Sequence, residues 1–293
     1  MEEMICLVTG AQSGLGYAVA CGLAKEGATV VMVAPNNKKS KKSRIKMIAE
    51  SKNPNIDLIK VNWLSQNSIK AAAEEIIDRY PRVHLLVNLA EAYFPVRKLT
   101  DEGIERNFAY NVLAPYLFTI ELSSLLIASD GARILNLTNE SHRVGAINFR
   151  DPGMRYTFSM RKSQRQSALA RMAWTYELNR RFEGTGVAVH AYAGGRTHPS
   201  SIRQVPAFLH WAVRLATRLW ESHSQETVDT VLRLCLSDEY DRLSGRYFFK
   251  GQMVKSSPIT YDAQFKDLVW EMCEKYTHTS MMAYSEIQEI LIS

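Results

Sequence analysis

The sequence predicts a single α/β domain built on a doubly wound parallel sheet with helices on both faces. Apolar runs of strand length alternate with helical patterns from the N-terminus to about residue 195. Strands separated by helices imply parallel pairing, and right-handed crossovers then place helices on both faces of the sheet. The 293 residues, with 46% hydrophobic content, suffice for one large core, and no repeat, low-complexity segment or linker divides them.

The predicted elements follow one another in a regular order. Strands are predicted at the apolar runs MICLVTG, ATVVMVA, IDLIKVN, VHLLVNLA, ARILNLT and GVAVHAY. Helices are predicted over residues 14–27, 42–51, 69–80, 104–128 and 164–178. The domain is expected to cover residues 1–277, followed by a C-terminal tail over residues 278–293.

Composition argues against several classes of protein. No apolar run reaches the roughly 18 residues of a transmembrane helix. The opening stretch MEEMICLVTG lacks the basic region and cleavage pattern of a signal peptide. The 4 cysteines are scattered without CxxC spacing, which suits a reducing cytosol and argues against a zinc site. We therefore expect a cytoplasmic protein without a bound metal.

The densest part of the net charge of +6 is the basic stretch KKSKKSR at residues 38–44. No RNA- or DNA-binding signature accompanies it, so no nucleic-acid partner is expected. We interpret the stretch as a solvated surface loop. A phosphate-reading role and a site for another polyanion are the alternatives.

The first strand ends in TGAQSGLG, whose glycines open the first helix. Glycine lets the backbone turn tightly and approach a pyrophosphate, which then lies at the positive end of the helix. A glycine triplet alone is a weak signal, but its position between a first strand and a first helix strengthens it. The loop residues expected to hold a dinucleotide are Thr9, Gly10, Ser13, Gly14, Leu15 and Gly16.

Further motifs follow in a characteristic order: LLVNLAE at 85–91, TDEGIERNFAYNVLAPYLFT at 100–119, RILNLTNESH at 133–142 and ELNRRFEGTGVAVHA at 177–191. With the TGxxxGxG loop, they resemble the short-chain dehydrogenase/reductase family, and most closely its retinol-dehydrogenase-like branch. The resemblance covers roughly residues 4–277. It implies a Rossmann-type fold, an NAD or NADP cofactor, and hydride transfer between a nicotinamide and a carbonyl or alcohol carbon.

The resemblance also implies an Asn–Ser–Tyr–Lys tetrad, of which this chain keeps one member. Asn111 matches the asparagine, which supports a water-linked proton path in the family. The serine falls on Asn139; counted without gaps from residues 177–178, the tyrosine falls on Gln164 and the lysine on Ala168. A glutamine forms hydrogen bonds but does not titrate, so the tetrad is degenerate and the tyrosine's proton transfer is expected to be lost.

Any remaining acid–base chemistry must therefore come from other side chains. The candidates are Tyr93, which follows the NLAE segment, His142 after the former serine position, and the upstream Tyr156. Each has a structural alternative: Tyr93 as cavity lining, His142 as a structural histidine common in this branch, and Tyr156 as a loop aromatic. Glu140 is expected to face solvent.

The expected cofactor cleft is altered. Asn62 stands where the family has an aspartate that meets the adenine amine, and its amide oxygen could accept the same bond. Glu91 replaces a glycine, and its charge opposes phosphate binding unless the carboxylate turns outward or contacts a ribose hydroxyl. Lys38 and Lys39 could meet a 2′-phosphate, but nothing decides between the two cofactors. We expect weak or vestigial NADP or NAD binding that also involves Asn62, Trp63, Asn88, Ala90 and Lys38.

Residues 206–220, PAFLHWAVRLATRLW, form a broad apolar helical stripe. In the branch that this chain resembles, the segment covers the substrate and can touch membranes, which implies a lid at about residues 196–225. A helix packed on its own core, or weak peripheral membrane contact, are the alternatives. Arg196 and His198 either project near the nicotinamide or belong to a surface loop. The expected partners are an apolar small molecule and a second copy of the chain.

Three functions are compatible with these residues. The first is a repurposed enzyme of non-redox chemistry, such as isomerisation, dehydration or cyclisation. The second is an oxidoreductase of a carbonyl or alcohol that uses substitute residues. The third is a catalytically silent pseudoenzyme that binds a dinucleotide or another ligand. The glycine loop is compatible with all three, because it reports cofactor binding and inherited architecture rather than chemistry.

Overall fold

A computed structural model describes residues 4–12, 14–194, 222–240 and 243–281. Eight strands in these residues form one sheet, in the order β3-β2-β1-β4-β5-β6-β7-β8. All neighbouring strands are parallel except the terminal pair, β7 and β8, which is antiparallel. The strands are β1 Ile5–Thr9, β2 Thr29–Ala34, β3 Ile56–Lys60, β4 Leu85–Asn88, β5 Arg133–Leu137, β6 Ala188–Ala193, β7 Arg246–Phe249 and β8 Gln252–Met253. The predicted doubly wound sheet is therefore confirmed.

Helices connect the strands, and several begin at a polar capping residue. The side chains of Asn37, Ser65, Ser159 and Asp262 each accept a hydrogen bond from the first turn of the helix that follows. The α-helices are α1 Gly14–Lys25, α2 Lys38–Ser51, α3 Gln66–Arg79, α4 Arg106–Phe108, α5 Ala114–Glu121, α6 Ser123–Ile127, α7 Met160–Arg181, α8 Ser222–Leu236 and α9 Ala263–Thr277. Short 3₁₀ segments lie at Glu140–Val144, Asp238–Tyr240 and Pro258–Tyr261.

The prediction of one long helix over residues 104–128 was wrong. The structure divides this stretch into α4, a π-helical segment at Ala109–Leu113, α5 and α6. Two local causes are visible in the sequence and backbone. Pro115 has no N–H and cannot close an α-helical hydrogen bond to the residue four positions earlier, and Leu122 leaves helical geometry at φ −95° and ψ 4°.

The basic stretch at residues 38–44 is not a loop, as was predicted, but the first part of helix α2. Asn37 caps this helix by accepting a hydrogen bond from the Ser40 N–H at 2.9 Å. The lysines of the stretch lie on the exposed side, while Ser40 is buried. The capping asparagine, which was not recognised in the sequence, allows the helix to begin four residues earlier than predicted.

The core has one layer on each face of the sheet. On one face, α3, α5, α7 and α9 bury large aromatic side chains; Tyr116 contacts Trp270 edge-to-face at 4.9 Å between ring centroids. On the other face, α1, α2 and α8 pack against the sheet through small and aliphatic side chains such as Val19 and Val231. The 4 cysteines are buried as free thiols.

The strand order places a cleft at the carboxyl ends of β1 and β4. The chain runs outward from β1 through β2 and β3, and then returns to begin the other half of the sheet at β4. Residues at the carboxyl ends of three central strands lie side by side, with Thr9 paired to Asn88 and Asn88 paired to Asn136, the residue before the end of β5. In open α/β sheets, ligands bind at this reversal.

Several sequence predictions fall outside the described residues. These are Ser13, Arg196, His198, most of the lid at 196–225, including 206–220, and the tail beyond residue 281. Within the described part of the chain, no helix has the length and apolar character needed to cross a lipid bilayer.

Candidate active site at the carboxyl edge of the sheet

The glycine loop between β1 and α1 has the close approaches that its sequence predicts. Gly10 has a positive φ of 71°, and a Cβ at this position would lie 3.1 Å from the backbone of Ala90. A Cβ on Gly16 would lie 2.5 Å from the Gly10 carbonyl oxygen, closer than a real side chain tolerates. Around Gly14, at the start of α1, a Cβ would meet nothing within 4 Å. The loop is thus tightly folded on itself and open at the helix N-terminus.

The side chains of Thr9 and Asn88 hold the end of β4 and the loop that follows it. Their polar groups bond to the protein rather than facing a ligand. The Thr9 hydroxyl oxygen accepts hydrogen bonds from the Leu89 and Ala90 N–H groups at 3.0 and 2.9 Å. The Asn88 amide nitrogen donates to Asn136 Oδ1 at 2.8 Å and to the Thr119 hydroxyl at 3.0 Å. Both side chains are almost fully buried, so they position the cleft from beneath.

At the predicted adenine end, Asn62 is exposed and its side-chain oxygen accepts a hydrogen bond from the Leu64 N–H at 3.1 Å. Trp63 is 3% exposed, and its ring packs edge-to-face against Phe118 at 5.4 Å. Its indole therefore belongs to the core. Lys38 is exposed at the start of α2, whose Ser43 hydroxyl donates to the Gln12 carbonyl oxygen of the glycine loop at 2.9 Å.

These residues fit a dinucleotide at the phosphate loop. Gly10 and Gly16 provide the backbone cradle that a Cβ would fill, and α1 presents its free N–H groups above it. The side-chain oxygen of Gln12 is buried without a hydrogen-bond partner among the described residues, an acceptor that suits a ribose hydroxyl. The loop would hold the pyrophosphate, and the bound dinucleotide would supply a nicotinamide that exchanges hydride.

Asn111, the one retained tetrad residue, has its polar groups committed to the protein. Its amide nitrogen donates to the Ala92 and Asn107 carbonyl oxygens at 2.6 and 3.0 Å, and its side-chain oxygen accepts from the Ala92 N–H at 3.0 Å. Its backbone carbonyl lies in the π-helical segment, four residues before Pro115. Proline cannot supply the α-helical donor for that carbonyl.

Arg171 supplies donors for this carbonyl instead. Its guanidinium donates to the Asn111 carbonyl oxygen through Nε at 3.0 Å and Nη2 at 2.7 Å, and to the Leu137 carbonyl oxygen through Nη1 at 2.5 Å. Arg171 is 3% exposed, and no carboxylate of the described residues forms an ion pair with it. A buried cation therefore lies one helical turn after Ala168, held by backbone dipoles.

At the former serine position, Asn139 forms part of a hydrogen-bonded chain with Tyr93 and Glu91. The Asn139 amide nitrogen donates to the Tyr93 phenol oxygen at 3.3 Å, and the phenol donates to Glu91 Oε1 at 2.6 Å. The Asn139 side-chain oxygen accepts from the Ser141 N–H at 3.1 Å and so caps the 3₁₀ turn. Burial, and then Glu91, raise the pKa of Tyr93 well above 10, while Arg171 opposes the rise.

Helix α7 carries the former tyrosine and lysine positions to the same edge. Ala168 is buried, and its carbonyl oxygen accepts a hydrogen bond from the Thr138 hydroxyl at 3.3 Å, just after β5. Gln164 lies one turn earlier, half-buried, and its side chain forms no hydrogen bond with any described residue. Gly145 permits the close packing of α7 on the 3₁₀ turn at Glu140–Val144, because a Cβ at position 145 would lie 2.5 Å from the Arg165 carbonyl oxygen.

The other substitute candidates form no hydrogen bond with Tyr93 or Glu91 within the described ranges. His142 is fully buried, its Nδ1 lies 2.9 Å from the Asn139 carbonyl oxygen, and burial lowers its pKa below 6.5. Glu140 is half-buried rather than solvent-facing, and although burial raises its pKa, hydrogen bonds from Tyr247 and Arg143 lower it overall. Tyr156 is 83% exposed, on the turn before α7.

Sequence reasoning missed Arg171 and the pairing of Glu91 with Tyr93. A signal for the first was present, because a lone arginine interrupts the otherwise apolar stretch SALARMAW, and Pro115 follows Asn111 by one helical turn. For the second, Glu91 and Tyr93 are two residues apart, which places both side chains on one side of an extended segment.

Groups of at least three histidine, cysteine, aspartate or glutamate residues that could hold a metal do not occur in the described ranges.

Comparison with known proteins agrees with this architecture. The family model described as short chain dehydrogenase matches residues 4–150. Mouse retinol dehydrogenase 12 is 29% identical over 275 residues, covering 92% of this chain and 85% of that protein. Human retinol dehydrogenase 14 is 28% identical over 94% of this chain and 86% of its own length, and human polyprenol dehydrogenase is 26% identical over 93% and 84%.

Solved structures show the same fold. A crystal structure of a protein from Mycobacterium paratuberculosis superposes with a TM-score of 0.76 at 24% identity, covering 95% of both chains. A short chain dehydrogenase from Shigella flexneri 2a, complexed with NADP, superposes with a TM-score of 0.63 at 19% identity, covering 85% of this chain and 97% of that one. Sheet order, glycine loop and family model thus lead to one conclusion: this chain belongs to the short-chain dehydrogenase/reductase family, and is similar to its retinol dehydrogenases.

Proposed function

We propose that this protein binds NAD(P)(H) and an apolar small molecule at the carboxyl edge of its sheet and catalyses a non-redox reaction. Isomerisation, dehydration and cyclisation are the reactions that such a site could perform without net hydride transfer. The cofactor is retained by the glycine loop, with weakened affinity because Glu91 stands in the cleft. The protein is proposed to act in the cytoplasm as a homo-oligomer.

This proposal is supported by the residues at the predicted tetrad positions, none of which is a tyrosine or a lysine. Gln164 and Ala168 do not titrate, and the Asn139 amide is bonded to Tyr93 and Ser141. Asn111 is unchanged in identity, yet its backbone carbonyl oxygen accepts two hydrogen bonds from Arg171. This carbonyl has no α-helical donor, because the residue four positions later is Pro115. Removing a positioned acid typically costs about 10²–10⁴ in rate, and here the whole group is replaced.

An apolar ligand is supported by the relatives. The named relatives are retinol and polyprenol dehydrogenases, and both names denote alcohols with long hydrocarbon parts. The sequence of residues 206–220, which lie outside the described residues, also predicts a broad apolar helical stripe. Pockets for such molecules are mostly apolar with a few placed polar groups, and Tyr93 and Asn139 are polar groups of this kind.

A second function, an oxidoreductase that uses substitute residues, is favoured by one contact. The Tyr93 phenol lies within hydrogen-bond distance of Asn139, the residue at the position that holds the substrate oxygen in the family. A phenol at that place could pass a proton to a carbonyl oxygen. The dehydrogenase names of the relatives point the same way.

Two measurements separate these functions. Calorimetry with NAD⁺, NADH, NADP⁺ and NADPH tests binding, and NADPH consumption with a panel of apolar aldehydes and ketones tests hydride transfer. We expect measurable binding and almost no NADPH consumption. Fast consumption that persists in Gln164→Ala and disappears in Tyr93→Phe would establish the oxidoreductase instead. Absence of binding by all four nucleotides would contradict the cofactor part of the proposal.

A further inference from the structure

The loop after β4 brings a carboxylate and a phenol beside Asn139, the residue at the predicted serine position. The Tyr93 phenol has one hydrogen, and it is donated to Glu91. One lone pair of the phenol oxygen accepts from Asn139, at 3.3 Å. No described residue donates to the other lone pair, so the phenol oxygen can accept a hydrogen bond from a hydroxyl group.

This loop is held in place by two asparagines of the neighbouring helical stretch. Asn111 exchanges hydrogen bonds with both backbone groups of Ala92, and Asn107 does the same with Phe94, at 2.7 and 3.0 Å. The Arg106 guanidinium stacks over the Phe94 ring at 4.3 Å. Tyr93 lies between two clamped residues, which gives it the fixed position that proton transfer requires.

The charges around Tyr93 favour a shared proton over a free phenolate. Glu91 has no cation of the described residues within ion-pair distance, and its Oε1 accepts the hydrogen bond from the Tyr93 phenol. Burial and Glu91 keep the phenol protonated, because both raise its pKa, while Arg171 and Asn139 act in the opposite direction. A phenol in this state exchanges a proton only if Glu91 takes or gives one at the same time.

We propose that Glu91 and Tyr93 form a proton relay that serves a hydroxyl or carbonyl oxygen of an apolar substrate. The substrate O–H bond breaks as its proton joins the Tyr93 oxygen, the Tyr93 O–H bond breaks, and Glu91 becomes a carboxylic acid. In reverse, Glu91 and Tyr93 protonate a substrate oxygen. The relay causes no net oxidation or reduction, so it suits enol isomerisation, loss of water and alkoxide cyclisation. The relay rests on the proposed function only in that an apolar ligand binds beside Tyr93.

The first test uses two matched probes, n-decanol and n-decane, which differ only in the hydroxyl group. Their binding to wild type, Tyr93→Phe, Glu91→Gln and the exposed-tyrosine control Tyr156→Phe is measured by calorimetry. We expect Tyr93→Phe to weaken n-decanol binding by roughly tenfold and to leave n-decane unchanged, since one buried hydrogen bond is lost. Tyr156→Phe is expected to change neither. An equal effect of Tyr93→Phe on both probes, or none on n-decanol, contradicts the proposal.

A second readout needs no ligand and separates failure of the relay from failure of the proposed function. Protein labelled with ¹³C at the tyrosine ζ position is titrated by NMR, with Tyr93→Phe identifying the Tyr93 resonance. We expect Tyr93 to titrate above the ordinary tyrosine range, Glu91→Gln to lower its pKa, and Arg171→Met to raise it. If neither probe binds but this coupling is found, the apolar-ligand proposal fails alone. A Tyr93 resonance that is insensitive to Glu91→Gln overturns the relay.

Discussion

Arg171 and Pro115 together account for the hydrogen bonds of the Asn111 backbone carbonyl. Pro115 leaves the Asn111 carbonyl without an α-helical donor, and the Arg171 guanidinium takes that carbonyl with two N–H groups. In the family, the asparagine supports a path through water. Here the backbone carbonyl oxygen of Asn111 accepts two hydrogen bonds from a buried cation, so residue identity at position 111 alone does not describe the environment of this residue.

This arrangement predicts a non-additive pair of substitutions. Arg171→Met leaves the Asn111 and Leu137 carbonyl oxygens without their buried donors, which we expect to cost about 1–3 kcal/mol in the free energy of unfolding. Pro115→Ala restores a backbone N–H that can reach Asn111. The free energy of unfolding of the double variant, measured in urea, should therefore exceed the value expected from adding the two single effects by about 1 kcal/mol. Strict additivity would show that Pro115 and Arg171 do not share this carbonyl.

Glu91 gives a second prediction for a single residue. Its charge opposes a bound dinucleotide, so Glu91→Gly should tighten NADPH binding by about 1 kcal/mol, or roughly fivefold. Glu91→Gln removes the charge without adding backbone freedom, and it should tighten binding to a similar extent. Calorimetry at low and high salt measures both. Unchanged affinity in the two variants would place the carboxylate beyond the reach of the phosphates.

At the scale of elements, the approach of helix α7 to the 3₁₀ turn at Glu140–Val144 sets the shape of the site. Gly145 allows it, because a Cβ there would lie 2.5 Å from the Arg165 carbonyl oxygen and 2.9 Å from Leu169 Cβ. Gly145→Ala must separate the turn from α7, and we expect a loss of about 1–3 kcal/mol in stability together with weaker Tyr93–Asn139 contact.

The matched control is Gly153→Ala, where a Cβ would meet its nearest atom at 3.4 Å, an ordinary contact. This variant should stay within about 0.5 kcal/mol of wild type. Thermal and urea unfolding of both variants make the comparison. Equal stability of Gly145→Ala and wild type would mean that the turn can move away from α7 without cost.

The elements themselves were largely predictable, because alternating apolar runs and helical spacing depend on local sequence. The strand and helix order and the glycine loop follow from the residues. The division of residues 104–128 and the early start of α2 do not, because they depend on one proline and one capping asparagine. The sequence placed Gln164 and Ala168 one turn apart on one helix, and the structure places both on α7. The Arg171 contacts were not predictable, because they join residues 60 positions apart in the chain.

At the scale of the whole molecule, the two-layered core buries a histidine in the sheet. His190 is fully buried in β6, and burial, followed by the positive charges of Arg133 and Arg246, lowers its pKa from 6.5 to about 4. Between pH 6.5 and about pH 4, the unfolded chain therefore binds a proton at His190 that the folded chain does not bind. Its contribution is present above pH 6.5 and is lost as the pH falls towards 4.

We expect wild-type stability to fall by on the order of 3 kcal/mol more than that of His190→Phe between neutral pH and pH 4. The phenyl ring replaces the imidazole beside Phe248, which already contacts it edge-to-face at 5.5 Å between centroids. Urea unfolding across this range measures the difference. Parallel stability curves would show that His190 titrates equally in both states.

The measurement that tests the central claim most directly is NADPH consumption with apolar aldehydes by a series that rebuilds the tetrad. Wild type should show almost no rate above the blank. Asn139→Ser/Gln164→Tyr/Ala168→Lys should gain a measurable rate, and adding Arg171→Met should raise it further, because the Asn111 carbonyl is then free. Rapid consumption by wild type that survives Gln164→Ala would contradict the claim that the family's route is dismantled.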